Sequence, residues 1–177
     1  MYVYCYKNKR KYFNIDIDSY IDYYACLCYI ARKEDWPINN YALWRARRVG
    51  DGIYEDGKWR WMVFDCNSTS MSVDFVNDDT LSFIIDSDSV FAKIWENEEF
   101  RIRFQQRILE IADKCFDAEE MSEYIDTYSE HMVPILEKSW ARFYGKDNDK
   151  LEEFNLWMEK YRSFFLERKS VVESWFK

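Results

Sequence analysis

The 177-residue chain carries 33 acidic against 25 basic side chains, a formal net charge of −8, and 48% of its residues are hydrophobic and 20% aromatic. That apolar load excludes a disordered chain, and the acidic balance argues against a dedicated DNA- or RNA-binding protein, which needs a basic face. The length suits one domain with a substantial core, and most of the 8 Trp, 14 Tyr and 13 Phe are expected inside it.

At the N-terminal edge Lys7, Lys9, Arg10 and Lys11 crowd together, the composition of a solvated face. The opening MYVYCYKNKRKYF shows no apolar core followed by a cleavage site, so no signal peptide is visible. No segment approaches the about 18 apolar residues of a membrane span. Five cysteines, Cys5, Cys26, Cys28, Cys66 and Cys115, form an odd set without tight metal spacing. Free buried thiols in a reducing compartment are the expected state.

From Asp16 the run DSYIDYYACLCYIARK suits a buried helix with acidic residues at its start, ending near Glu34 because Pro37 disfavours helical geometry at Trp36. YALWRARRV and KWRWMVFD then alternate around VGDGIYEDG, which reads as a β-hairpin with a long connection; three of the four glycines, Gly50, Gly52 and Gly57, lie in it. Cys66 to Ser89 reads as an extended polar loop in which LSFII is the one piece suited to a short strand. Beyond it everything is helical. Ser89 to Trp95 makes a short helix. A longer one is capped by Asn97, and a third starts at Asp117, carries a kinking Pro134 and stops at Gly145. DNDKLEEFNLWMEKYRSFFLERK makes a further helix, and SVVESWF a last short one. The fold class is therefore mainly α with a central β-hairpin, an α+β domain.

The hairpin is bracketed by polar residues. Asp35 and Asn40 stand five apart in the loop entering it, and Asp65 ends its second strand. A hairpin returns the chain to its starting point, so the three side chains can meet. Phosphoryl transfer from ATP uses such a set: one carboxylate for the acceptor hydroxyl, an amide and a second carboxylate for Mg²⁺. The pattern alone leaves open that Asp35 and Asn40 shape a Pro-containing turn and that Asp65 caps the next segment.

The segments IDIDSYIDYY, EDWPINNYALWR, GKWRWMVFDCN and ENEEFRIRFQQRILEI, with the later Phe164-x-x-x-Arg168, resemble the CotH-type spore-coat kinase family over nearly the whole chain. The resemblance implies a protein-kinase-like fold that uses ATP and a divalent metal to phosphorylate Ser or Thr of spore-coat or extracellular proteins. It implies Asp35 as catalytic aspartate, with Asn40 (or its neighbour Asn39) and Asp65 as ligands of Mg²⁺. Where the family often has a second Asp, this chain has Asn67, a weaker ligand. A kinase also needs a lobe that grips the nucleotide with a phosphate-covering loop and a Lys–Glu pair. Only fifteen residues precede the first helix and no glycine precedes Gly50. The expectation is thus the large C-terminal lobe of a kinase-like fold, a fragment or a degenerate member, inactive when isolated. The competing expectation is a non-catalytic binding or scaffold domain of the cell surface or spore coat. A protein substrate, no nucleic acid and no membrane span complete the set. The compartment stays open between mother cell or spore coat and the exterior.

Other features read more plainly. His131 lies mid-helix with no nucleophile beside it, and is read as core or surface. Asp74, Asp78, Asp79, Asp86 and Asp88 lack calcium-loop spacing. Arg45, Arg47 and Arg48 read as strand-face charges, and Trp44, Trp59 and Trp61 as cross-strand packing.

Overall fold

Helix α1 is the axis about which the rest is assembled. In the computed structural model, which describes residues 2–4, 12–33, 36–37, 39–66, 75–146 and 148–177, the elements run β1 (Tyr2–Tyr4), β2 (Tyr12–Asn14), α1 (Ile17–Tyr29), β3 (Ala42–Trp44), β4 (Arg60–Met62), α2 (Thr80–Ser87), α3 (Ser89–Trp95), α4 (Glu98–Lys114), α5 (Ala118–Tyr144) and α6 (Lys150–Ser174). The basic cluster Lys7 to Lys11 lies outside the described residues.

Tyr20, Tyr24 and Leu27 recur at helical spacing on α1 and are buried, with the two tyrosine rings facing Phe91 of α3 and Tyr20 also meeting Phe100 of α4. On α4 the apolar spacing Phe100, Phe104, Ile108, Ile111 puts one stripe into the same core. The rings meet tilted or edge-on, Tyr20 on Tyr24 at 4.5 Å and Phe91 on Phe104 at 5.6 Å, geometries aromatic quadrupoles favour. The C-terminal half of α6 closes the core with Phe164, Phe165 and Val172.

Helix starts follow the sequence closely. Asp16, Asp88, Asn97 and Asp117 each cap a helix by accepting a backbone N–H, as in Phe100 N to Asn97 Oδ1 at 3.0 Å.

Several expectations need correction. Helix α1 ends at Tyr29, well before Glu34, because Ala31 takes a left-handed φ of 57° and closes a Schellman motif: Arg32 N–H donates to the Leu27 carbonyl at 3.1 Å and Ala31 N–H to that of Cys28 at 3.2 Å. LSFII is helical, in α2. Asp79 caps it through Ser82 N–H and Oγ, and Leu81 and Ile84 bury one helical face, a choice that so short an apolar run leaves undecided. Helix α6 continues through Ser170 to Ser174 as one element, since Arg168 and Val172 are buried on one face. Helix α5 runs through Pro134, which sits on its exposed side where water can satisfy the freed carbonyl.

Among the described residues there are two strand pairs rather than one. β1 and β2 pair antiparallel (Val3↔Phe13), too short for a period of two to show in the sequence. β3 and β4 pair antiparallel with Leu43 opposite Trp61. A parallel bridge between Ile15 and Trp59 joins the end of β2 to the start of β4. The three tryptophans of the hairpin do not pack on one another as a cluster. Trp44 meets Tyr54 at 5.7 Å, Trp61 stands edge-on to Tyr20 at 4.7 Å, and Trp59 lies under the Arg45 guanidinium at 4.8 Å. Alternation in β3 marks no buried face either: Tyr41, Leu43 and Trp44 are all exposed.

Candidate functional site at the open end of the hairpin

Asn40 lies two residues before β3 and Asp65 three residues after β4, so the β3–β4 register carries both to the open end of the hairpin. Each sits in the left-handed region, Asn40 at φ 52° and Asp65 at φ 51°. Non-glycine residues rarely adopt it, and Asn and Asp do so at the lowest cost. The two strands thus end at the two candidate ligands, where the backbone turns out of its ladder. Asn40 is half-buried, while Asp65 and Asn39 are exposed. Asp35 and Asn67 lie outside the described residues.

What fixes this end is α1. Arg32, three residues past the helix, is fully buried, and its Nη1 donates to the Phe64 carbonyl at 3.0 Å and to Cys66 Sγ at 3.2 Å. It therefore holds the chain on both sides of Asp65. Lys33 Nζ pairs with Asp78 at 2.9 Å, and the buried Trp36 donates from Nε1 to Tyr23 Oη at 3.1 Å. The described residues flanking positions 34 and 35 are both anchored in this way. Composition gave no hint of the role of Arg32; a cation soon after an apolar helix was the only available signal.

The other end of β4 is tied to the start of α1. Arg60 pairs with Asp16 at 2.8 Å and grips Asp56 in bidentate fashion at 2.9 and 2.8 Å, while Trp61 N–H donates to Ser19 Oγ at 3.2 Å. Arg60 holds the Asp56 carboxyl well below the usual carboxylate range. Strand β4 and helix α1 therefore lie alongside each other with both ends pinned.

A groove of about 600 Å³ runs between β4, α1 and α4, lined among others by Asp18, Asp22, Trp44, Trp61, Arg107 and Cys115. Its carboxylates are already paired: Asp18 with Arg103, and Asp22 with Arg107 at 2.6 Å. Neither Asn40 nor Asp65 lines it. Cys26, Cys28, Cys66 and Cys115 are free thiols, but only Cys28 is fully buried, against the expectation for the set; Cys5 lies outside the described residues. Burial pushes the Cys26 thiol up to about 11, so it is a poor nucleophile.

A second buried arginine, Arg168 on α6, uses all five of its N–H groups. Nε donates to the Tyr29 carbonyl at 2.7 Å, Nη1 to the Val76 and Asp78 carbonyls at 2.6 and 2.9 Å, and Nη2 to the Cys28 carbonyl and Thr80 Oγ1, both at 2.8 Å. The guanidinium also lies over Trp175 at 5.0 Å. One side chain thereby locks the end of α1, the start of α2 and α6.

A family model described as CotH kinase protein matches residues 6–172. The chain belongs to the CotH kinase family. No curated protein and no solved structure matches it. Membership suggests a kinase-like function; kinase families in general act on a protein substrate with ATP and Mg²⁺. The fold is mainly helical with small antiparallel strand pairs. No helix among the described residues is long and apolar enough to cross a membrane. Among the described residues no group of three His, Cys, Asp or Glu converges as a metal site. The donors at the hairpin end, an amide and a carboxylate oxygen, are the hard type that suits Mg²⁺, which is commonly held by one or two carboxylates and substrate phosphates rather than by an all-protein cage. The remaining acidic candidates have other work: Asp78 pairs with Lys33, Asp79 caps α2, and Asp88 caps α3 and accepts from Tyr24 Oη at 2.6 Å. His131 is exposed on α5.

Proposed function

We propose that this chain is the acceptor- and metal-binding lobe of a CotH-type protein kinase that phosphorylates Ser or Thr of spore-coat or extracellular proteins. Asn40 and Asp65 hold Mg²⁺, which when bound neutralises charge on the transferring phosphate. Asp35 accepts or orients the proton of the acceptor hydroxyl. Arg32 is a positioning residue that fixes the direction of Asp65. The observation supporting the reading is the placement of Asn40 and Asp65 at one hairpin end, both in left-handed geometry, with a buried arginine clamped on either side of Asp65. On this reading the nucleotide-gripping loop and its Lys–Glu pair belong to a part of the protein beyond these 177 residues. The isolated chain binds metal without transferring phosphate.

A second reading, a non-catalytic binding domain that keeps the fold, draws on Asn67 in place of a second Asp. Calorimetric titration of Mg²⁺ and Mn²⁺, with and without ATP, separates the two. Saturable binding that vanishes in Asp65→Ala supports the kinase lobe. No binding by this chain, and none by a version extended upstream, overturns it and leaves the binding domain.

A further inference from the structure

The connection between β3 and β4, residues 45–59, stands at the end of the hairpin opposite to Asn40 and Asp65. Among the large apolar side chains of the described residues, its Ile53, 85% accessible, and its Val49, 77%, are the most exposed. The backbone that carries them is ordered by its own bonds. Gly50 N–H donates to the Glu55 carbonyl at 3.0 Å, and Glu55 N–H to the Gly52 carbonyl at 2.9 Å. At the base of the connection Arg60 grips Asp56 and lies over the rings of Trp44 and Tyr54 at 5.5 and 5.1 Å. The loop is thus closed on itself and leaves both aliphatic side chains outside; neither lines the groove that Trp44 and Tyr54 border.

Arg45, Arg47 and Arg48 lie beyond Trp44, the last residue of β3, so they belong to this connection and not to a strand face. All three are exposed and none has a carboxylate partner among the described residues; Arg45 rests on Trp59 at 4.8 Å. The neighbouring acids are mostly engaged. Glu55 Oε2 accepts from Gly52 N–H at 3.2 Å and Asp56 is held by Arg60, which leaves Asp51. Arg103 and Arg107 of α4, by contrast, each find a carboxylate of α1. A chain with a net charge of −8 has acids to spare, yet three guanidiniums within four residues are left without one, beside its two most exposed aliphatic side chains.

We infer that the tip of the β3–β4 connection docks on an anionic lipid bilayer, with Val49 and Ile53 entering the interface and Arg45, Arg47 and Arg48 meeting the headgroups. Interfacial binding adds apolar insertion to the attraction of basic side chains toward anionic lipid, and this tip carries both. Arginine stems lie along apolar surface while their guanidiniums stay at headgroup level. A protein partner fits less well: two aliphatic side chains at an apex offer a small fraction of the about 800 Å² that each side of a stable protein complex contributes. The acidic body opposes approach to such a bilayer. At physiological ionic strength that repulsion is screened over about 8 Å, so the basic tip meets the surface first and sets the orientation. The inference is independent of the candidate metal site, which stands at the other end of the hairpin.

The test is co-sedimentation of the full chain with vesicles of phosphatidylcholine alone, and with vesicles of about three parts phosphatidylcholine to one part phosphatidylserine. The native chain is expected to bind the second kind and not the first, and to bind more weakly in about 1 M salt. Arg47→Gln with Arg48→Gln should weaken binding about thirtyfold, since each arginine near an anionic surface contributes a factor of about five. Val49→Ser with Ile53→Ser should weaken it about tenfold without touching charge. Leu166→Ser, which alters an aliphatic side chain of α6 that is 68% accessible, should leave binding unchanged. All five positions are exposed, so helical content and thermal midpoint serve as controls for folding. No binding to the phosphatidylserine vesicles overturns the inference, as does equal binding to both kinds or binding indifferent to the two tip variants. A chain that ignores vesicles but binds a polyglutamate peptide through these arginines also overturns it, because the tip then serves an acidic protein.

Discussion

The two ends of α1 solve the same problem with the same residue type in opposite ways. At its start, Arg60 is neutralised by the carboxylates of Asp16 and Asp56, partly in contact with water. At its end, Arg168 is fully buried and meets only neutral acceptors, four backbone carbonyls and the Thr80 hydroxyl. Burial without a counter-charge lowers its guanidinium to about 10, still protonated at neutral pH. The carbonyls of Cys28 and Tyr29 carry the negative end of the helix dipole, which partly replaces the missing anion. Arg60 is therefore a clip that pH can open, whereas Arg168 is a cross-link within the core. The candidate site hangs between them, on Arg32 and the far end of β4.

The largest effect is expected from Arg168→Ala, which strands several buried acceptors and should cost about 3–5 kcal/mol in urea unfolding. Arg168→Lys should recover only part of this, because an ammonium cannot span five acceptors in a plane. A loss as small as that of an exposed substitution would remove the distinction between the ends. Next, Arg60→Met should cost about 1–2 kcal/mol and speed amide exchange at Trp44 and Trp61 more than in the α4 core. If exchange accelerated uniformly, the hairpin would not be a separately pinned unit.

Acid should act on the Arg60 clip through Asp56, whereas the acceptors of Arg168 are neutral. The Asp56 carboxyl is held low when folded, so its contribution is complete above the ordinary carboxylate range near 4 and is lost as pH falls through its depressed folded value. Hairpin resonances should shift as pH falls through that depressed value, and Asp56→Asn should abolish that step. The smallest effect concerns the left-handed Ala31, where Gly carries no Cβ penalty: Ala31→Gly should stabilise by about 0.5–1 kcal/mol in thermal unfolding. A destabilised variant would show that the buried methyl outweighs the backbone strain.

Helix starts were legible because capping is local. Asn97 and Asp117 contact N–H groups two or three residues away, and the sequence holds both partners. Gly145 as a stop was legible for the same reason. Strand identity was not. Three-residue strands carry too little pattern, and LSFII became a helix only because its Leu81 and Ile84 had a core to enter. Of the site, the sequence offered Asn40 and Asp65 by type and spacing, and the register of β3 and β4 brings both to one end. The Phe164-x-x-x-Arg168 segment was visible as a pattern, but its work was not, since its partners lie 88 to 140 residues away along the chain.

The sequence by itself determined the helical class, the starts of α1, α3, α4 and α5, the family and the polar residues that frame the hairpin, all through short-range periodicity, capping chemistry and motif. Only the tertiary structure decided that Arg32, Arg60 and Arg168 pin the two ends of α1. A buried guanidinium needs acceptors gathered from distant segments. Which segments supply them is settled by packing, not by neighbouring residues.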